Sequence, residues 1–175
     1  KVQDVDGNGV ITTDDRIIYS QRPDVTFGFN NTFNYKGFDL SVFLYARLGQ
    51  WIAYDYNTTY RINALENGGN VDYWTPENPT NAFPRPNKSK SYTQVTYYST
   101  LKYEDGSFFK IRDITLGYTF KPELLKHLNL SRLRVYATAK NFFTFSKIDN
   151  YDPEQGGSIS FPMTKQLVFG LNVEF

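Results

Sequence analysis

The sequence predicts an all-β fold of about five antiparallel strands, and three observations lead to this prediction. Apolar and polar residues alternate with a period of two in five segments of about ten residues each. Short connections that contain Gly or Pro alternate along the chain with long polar ones. Aromatic residues make up 18% of a chain that is polar on average, so the rings must be concentrated on particular surfaces.

The first two segments form a predicted hairpin. In the first, the apolar residues are Phe27, Phe29, Phe33 and Tyr35. In the second they are Leu40, Val42, Leu44 and Ala46, although Phe43 and Tyr45 fall on the polar side. The run Tyr35-Lys36-Gly37-Phe38 between them predicts a tight turn, because Gly accepts backbone angles that other residues avoid.

The other three segments follow the same period. Their apolar residues are Ile114, Leu116, Tyr118 and Phe120; then Leu133, Val135, Ala137, Ala139, Phe143 and Phe145; and finally Leu167, Phe169, Leu171, Val173 and Phe175. Lys110 and Arg112 fall in phase with the first of these sets, and a β-bulge there would restore the pattern. In the connection 121–131, Pro122 and three leucines predict one helical turn.

Two architectures fit five alternating strands. Segments of about ten residues suit tilted strands that cross a bilayer, and alternating short and long connections are typical of outer-membrane barrels. A soluble antiparallel sandwich also alternates apolar and polar residues. Aromatic residues at the ends of many apolar faces favour the barrel, and so do the Arg, Lys, Glu and Asn residues of the opposite faces, which suit a water-filled lumen. No stretch approaches 18 consecutive apolar residues, which excludes a membrane-spanning helix.

Five strands cannot close a membrane barrel, because an open edge leaves backbone groups unpaired in lipid. The chain is therefore predicted to be an antiparallel transmembrane β-barrel segment, a single incomplete domain over residues 23–175. With the C-terminus in the periplasm, the long connections 51–106 and 146–162 lie outside the cell. Residues 1–22 then form an external segment.

Residues 4–15 follow the pattern of a twelve-residue calcium loop. Oxygen ligands are expected at six positions, namely Asp4, Asp6, Asn8, Val10 (through its carbonyl), Thr12 (through water) and Asp15. Gly9 stands where the loop turns sharply. Asp15 is shorter than the usual Glu. The sequence predicts a structural calcium ion, and the alternative is a polar turn that holds no metal.

The long connection after residue 50 is rich in aromatic residues beside amides. Rings next to amides and Arg are typical of surfaces that bind sugars or a protein partner. The candidates for such contacts are Trp51, Tyr54, Tyr56, Arg61, Tyr73 and Trp74. The alternative is that these rings pack the loop against itself and the barrel.

The sequence gives little support to catalysis or to nucleic-acid binding. There is no Cys, and the one His, His127, stands in a short polar connection. Carboxylate pairs such as Glu66 with Asp72, or Asp152 with Glu154, are interpreted as solvated loop residues. A net charge of +1 argues against a nucleic-acid partner. The chain is predicted not to be an enzyme.

Several stretches resemble one family, the SusC/RagA-type TonB-dependent transporters of the Bacteroidota outer membrane. The matching stretches are Asp4–Ile17, Pro23–Gln50, Tyr73–Pro86 (YWTPENPTNAFPRP), Glu104–Phe120, Leu133–Phe145, Tyr151–Glu154 (YDPE) and Phe169–Phe175. The likeness runs along nearly the whole chain in the same order.

The resemblance implies about five C-terminal strands of a 22-stranded barrel with a plug. It implies uptake of oligosaccharides or peptides across the bacterial outer membrane, a SusD-like surface lipoprotein as lid, and TonB engaged by an N-terminal region outside this chain. It also implies a barrel-assembly signal at Phe169, Leu171, Val173 and Phe175. The alternative from the residues alone is a secreted, calcium-stabilised β-sandwich that binds glycans or acts as an adhesin.

Overall fold

The computed structural model describes residues 3–56, 72–83 and 102–175. One antiparallel sheet contains β1 (Val25–Tyr35), β2 (Phe38–Leu48), β5 (Phe108–Thr119), β6 (Arg132–Ser146) and β7 (Gln166–Glu174), in the order β1-β2-β5-β6-β7. The short strands β3 (Trp51–Ala53) and β4 (Tyr103–Asp105) pair separately. The five predicted strands and the all-β class are confirmed.

The described ranges contain several short helical elements. The helix α1 covers Pro122–Leu125, and 3-10 turns cover Thr13–Asp15, Lys126–Leu128 and Pro153–Gln155. The turn predicted from Pro122 and the leucines is therefore present. Within the described part of the chain, we find no helix with the length and apolar character needed to cross a membrane.

The turn between β1 and β2 has the predicted form. Lys36 and Gly37 both have positive φ angles, 48° and 89°, as a two-residue turn of type I′ requires. A Cβ atom on Gly37 would lie 2.8 Å from the carbonyl oxygen of Thr119, so the neighbouring strand also demands Gly. We call this end of the sheet the turn end, and the opposite end, where β2 and β6 finish, the loop end.

The predicted bulge is present in β5. Phe43 pairs with Asp113 and the next residue, Leu44, pairs with Ile111, so Arg112 is the additional residue. The register between β5 and β6 shifts at the same place. The bulge moves Lys110 to the polar face of the sheet and keeps the apolar residues in phase.

The apolar face of the five-stranded sheet is uncovered. Phe169 and Leu171 on this face are 73% and 68% exposed, and most of the other large apolar side chains there are exposed as well. The described residues place no second sheet against this face. A soluble sandwich would bury these side chains in its core, so the sandwich alternative is wrong.

The polar face is held by hydrogen bonds between strands. Arg134 Nε donates to Asp39 Oδ1 at 2.9 Å across β5, where Gly117 lacks the side chain that would separate them. The hydroxyls of Thr115 and Thr138 lie 2.8 Å apart. Polar side chains on this face therefore satisfy one another.

The principal buried cluster lies in the loops at the loop end, outside the sheet. Ile52, Tyr54 and Ile148 form its centre, and Tyr56, Tyr151 and Ile159 pack around them. This cluster joins the connection after β2 to the connection after β6.

The N-terminal segment rests on the same end. The Tyr19 ring lies 4.5 Å from that of Trp51 and 5.2 Å from that of Tyr103, and the Trp51 N–H donates to the Ser20 carbonyl at 2.8 Å. The division into residues 1–22 and 23–175 stays a prediction.

Candidate functional site

Three groups of residues could carry function. The first is the loop of residues 4–15. The second is a set of charged side chains around the buried Lys110, which we call the Lys110 cluster: Lys110, Arg112, Asp152 and Glu154. The third is the group of aromatic residues in the connection between β2 and β5.

The loop of residues 4–15 brings three acidic side chains together. Carboxylate oxygens of Asp4, Asp6 and Asp15 lie within 4.8 Å of one another. Gly7 and Gly9 have φ angles of 74° and 82°, which turn the backbone so that both N–H groups donate to Asp4 at 2.8 Å. Asp4 is thereby fixed at the centre of the loop.

Asp15 closes the loop from its C-terminal side. Its carboxylate accepts the backbone N–H groups of Thr12 and Val5, both at 2.7 Å. These bonds, that of Thr12 first, lower the pKa of Asp15 below its ordinary value. The carboxylate is therefore ionised, which is the form that a metal ligand requires.

The remaining predicted ligands hold the loop in other ways. Asn8 Nδ2 donates to Asp6 Oδ2 at 2.7 Å, and Asn8 Oδ1 accepts the Val10 N–H at 2.8 Å. Thr12 Oγ1 accepts the Asp14 N–H and caps the 3-10 turn. The three carboxylates, together with these oxygens, are hard ligands of the kind that calcium prefers. Calcium binding stays a prediction.

The Lys110 cluster lies on the polar face of the sheet. Lys110 Nζ is 2.7 Å from Asp152 Oδ2 and 2.8 Å from Glu154 Oε2, and its side chain is fully buried. The two carboxylates are only 12% and 10% exposed. Arg112 Nη1 shares Glu154 at 3.1 Å. The interpretation of Asp152 and Glu154 as solvated is wrong, because the loop folds back and pairs them with Lys110.

The backbone around Asp152 explains this placement. Asp152 Oδ1 accepts the Glu154 N–H at 3.0 Å and so caps the 3-10 turn Pro153–Gln155, with Pro at its first position. The turn points both carboxylates toward Lys110. The only signal for Lys110 in the sequence was that it fell in phase with the apolar residues of its strand, which predicted the bulge but not its two acidic partners.

The Tyr45 ring links Arg112 of this cluster to a further cation, Arg47. The guanidinium groups of Arg47 and Arg112 lie 5.5 Å and 5.4 Å from the Tyr45 ring. Arg47 Nε also donates to Tyr45 Oη at 2.8 Å. These cation–π contacts hold both arginines against the polar face.

The predicted aromatic contacts fall into two groups. Trp51 packs against Tyr19, and Tyr54 is only 3% exposed, which favours packing within the loops. The Tyr56 ring lies between those of Tyr54 and Tyr151, at 5.8 Å and 6.3 Å. Arg61 and Glu66 lie outside the described residues.

Tyr73 and Trp74 are exposed. They follow Asp72, whose carboxylate accepts the Thr80 hydroxyl at 2.6 Å and the Asn78 amide at 2.8 Å. These two bonds, that of Thr80 first, lower the pKa of Asp72. The hydrogen bonds give the two exposed rings a fixed local backbone. Contact of either ring with a substrate or partner stays a prediction.

The C-terminal candidates lie on or next to β7. Phe169, Leu171 and Val173 are exposed on the apolar face, and Phe175 follows the strand and is also exposed. In the described part of the chain, β7 pairs with β6 alone and β1 with β2 alone. Their role in barrel assembly stays a prediction.

An antiparallel sheet with an exposed apolar face, a hydrogen-bonded polar face and two unpaired edge strands has the architecture of part of a membrane β-barrel. Comparison with known proteins agrees with this class. Since relatives that include the TonB-dependent receptor SusC are 31% identical over 98% of the chain, the chain belongs to the SusC/RagA-type TonB-dependent receptors and is a portion of their barrel. No family model matches the chain.

The similar sequences are all receptors of this kind. The chain is 31% identical to TonB-dependent receptor P3 of Formosa agariphila over 98% of its own length and 18% of that protein. It is also 31% identical to TonB-dependent receptor SusC of Bacteroides thetaiotaomicron, over 98% of the chain and 17% of SusC. The chain thus spans less than a fifth of the length of these curated relatives.

Solved structures show the same arrangement of strands. The match to the RagAB peptide transporter covers 95% of the present chain and 19% of the transporter chain, with a TM-score of 0.71 and 25% identity. The RagAB peptide importer in its "closed-closed" state matches 98% of the chain and 20% of its own, with a TM-score of 0.72 and 26% identity.

Proposed function

We propose that the chain supplies the C-terminal strands and external loops of an outer-membrane importer. The observation that carries this proposal is the exposed apolar face of a sheet whose opposite face is polar and hydrogen-bonded. Hydrocarbon tails would contact the apolar face, and the polar face would line the lumen. The loop end would then face the outside of the cell.

Membership of the family supports our proposal for the cargo and the partners. The importer takes up oligosaccharides or peptides, and the solved relatives named as peptide transporters support the second class. A SusD-like or RagB-like surface lipoprotein would cover the loop end, and TonB would act on a region outside this chain. The exposed Tyr73 and Trp74 are the accessible candidates for contact with substrate or lid. Because the similar proteins are named as receptors and transporters, we also propose that the chain is not an enzyme.

Uptake by cells tests this function. Deletion of the full-length transporter should abolish growth on its cargo when defined peptides or oligosaccharides are the sole nutrient, and the restored gene should recover growth. A tagged transporter purified in detergent should retain a surface lipoprotein. Unimpaired uptake of every tested cargo after deletion, together with no retained lipoprotein, would count against the proposal.

We also propose that the loop of residues 4–15 binds one structural calcium ion. The three carboxylates that converge within 4.8 Å support this proposal, as do the two glycines with positive φ angles. Asp4→Ala combined with Asp6→Ala in the full-length transporter should abolish calcium binding at this loop. Asp14→Ala is the matched control, because Asp14 lies in the same segment but outside the acidic group. Unchanged calcium occupancy in the double variant rejects the ligand assignment.

A further inference from the structure

The connection after β6 returns to the sheet and is fixed there by ions. Lys110 contacts both Asp152 and Glu154, which lie on either side of Pro153 in a 3-10 turn. Pro153 is itself fully buried. Because buried charges are costly unless they are paired, the three charges and the turn hold one another in place.

The same connection is also packed against the connection after β2. The Asp55 N–H donates to the Gly157 carbonyl at 3.0 Å, and Ile148 shares the buried cluster with Ile52 and Tyr54. Gly157 has a φ angle of 95°. A Cβ atom there would collide with the carbonyl oxygen of Ala53, so the two backbones approach as closely as Gly allows.

Hydrogen bonds and an ion pair add the strand β4 to this assembly. The buried side chain of Gln50 donates from Nε2 to the Gly106 carbonyl at 2.7 Å, and the Gly106 N–H donates to the Gln50 carbonyl at 2.9 Å. Lys147 Nζ lies 3.0 Å from Asp105 Oδ2. We call residues 50–56, 102–107 and 146–160 the loop-end unit.

We propose that Lys110 is a positioning residue that fixes the whole loop-end unit to the wall of the sheet. Among the ion pairs of the described residues, those of Lys110 with Asp152 and Glu154 are its contacts with the unit. Shared apolar packing and the Gly157 contact then transmit this restraint to residues 50–56. Residues 50–56 and 146–160 therefore open and close together as one cooperative body. Only the statement that this body faces outside the cell rests on the proposed function.

One consequence concerns the aromatic surface at the loop end. Tyr56 belongs to the connection after β2 and Tyr151 to the connection after β6, and their rings lie 6.3 Å apart. Tyr151 directly precedes Asp152, so the ion pair to Lys110 sets the position of its backbone. Lys110 thereby determines whether the two rings form one surface, although it contacts neither ring in the interactions described above.

Hydrogen exchange of the full-length transporter in detergent, measured without cargo, tests the proposal. Lys110→Met removes the one cation that pairs with both carboxylates, so that Asp152 loses its ion pair and Glu154 keeps only the one with Arg112. We expect amide exchange to become at least about tenfold faster in residues 146–160 and also in residues 50–56, as one cooperative unit. Exchange in β1 and β2 should be unchanged.

Lys140→Met is the matched control. Lys140 lies on β6 and pairs with Asp113 at 3.8 Å, but both side chains are partly exposed. This variant should leave exchange at the loop end unchanged. If Lys110→Met accelerates exchange only in residues 146–160, or in neither segment, the proposal is overturned.

Gly157→Ala provides an independent test if Lys110→Met fails to reach the membrane. It disturbs the contact with Ala53 and leaves the Lys110 cluster intact. Faster exchange in both connections supports a single body, whereas unchanged exchange in residues 50–56 overturns it. Since uptake is measured separately, a failure of import in the wild type would defeat the proposed function and leave the exchange result standing.

Discussion

Two backbone N–H groups lower the pKa of one carboxylate in the acidic loop. The Asp15 carboxylate accepts the backbone N–H groups of Thr12 and Val5. Among the ion pairs of the described residues, none involves Asp15. Each bond stabilises the ionised carboxylate over the protonated form, which is why the pKa of Asp15 is lowered. The backbone of the loop thus holds Asp15 in its ionised form.

The lowered pKa of Asp15 has a predictable consequence for the loop at low pH. A carboxyl whose pKa is lowered by folding stabilises the folded loop fully at pH values above its pKa in the unfolded chain. This stabilisation is lost as the pH falls through its pKa in the folded loop. Protection of the Val5 and Thr12 amides from hydrogen exchange should therefore persist into the acid range and disappear below the ordinary Asp pKa.

Asp15→Asn is the comparison for this titration. An amide cannot accept both N–H groups through two oxygens, so protection at Val5 and Thr12 should be weak at every pH. Protection in the wild type that disappears near neutral pH would contradict the lowered pKa.

Gly117 illustrates a different requirement at the residue scale. A Cβ atom there would collide with Arg134 Nη2 and with the Asp39 carboxylate. We expect Gly117→Ala to cost about 1–3 kcal/mol in the free energy of unfolding, because a packed group must move. Unfolding of the full-length barrel in denaturant, with the midpoint as readout, measures this cost.

Gly28→Ala is the matched substitution on the same face. Its Cβ would lie 3.7 Å from the Phe43 ring, which is an ordinary contact. The variant should therefore unfold at or above the wild-type midpoint. If Gly117→Ala and Gly28→Ala lower the unfolding midpoint equally, the Arg134–Asp39 pair is not the reason that position 117 requires Gly.

At the scale of the element, β7 provides the clearest test of the lipid-facing assignment. Leu171 lies on the apolar face of the sheet and is 68% exposed. Leu171→Arg, and likewise Val173→Arg, should cost about 2–4 kcal/mol if the site is near the middle of the bilayer. The expected result is a lower level of folded protein in the outer membrane.

Asn172→Arg is the control in the same strand. Asn172 lies between the two tested residues and on the opposite face, where it pairs with Arg134 across the strands. An added cation there faces water in the lumen and should be tolerated much better. Normal membrane levels of Leu171→Arg and Val173→Arg would contradict a lipid-facing strand.

The period of two was sufficient to predict the five strands, because each side of a strand has a different environment along its whole length. It also predicted a bulge near Lys110 and Arg112. It could not predict what Lys110 contacts, since Asp152 lies 42 residues further along the chain. Tyr54 shows the same limit, because an aperiodic segment gives no indication of which rings are buried.

At the scale of the whole molecule, the distribution of burial is inverted relative to a soluble β protein. The large apolar residues of the sheet are exposed, whereas Lys110 on its polar face is fully buried. The buried apolar cluster lies in the loops. Such a distribution is stable only where a solvent other than water covers the apolar face.

The chain by itself should therefore depend on detergent. Its apolar face and the unpaired edges of β1 and β7 would associate in water, since exposed strand edges and large apolar patches promote aggregation. We expect the isolated chain to sediment as aggregates in buffer and to remain dispersed in detergent. The full-length transporter in detergent, where neighbouring strands would pair both edges, is the control. A monodisperse isolated chain in plain buffer would mean that the apolar face is covered by the chain's own residues, and the membrane assignment would then fail.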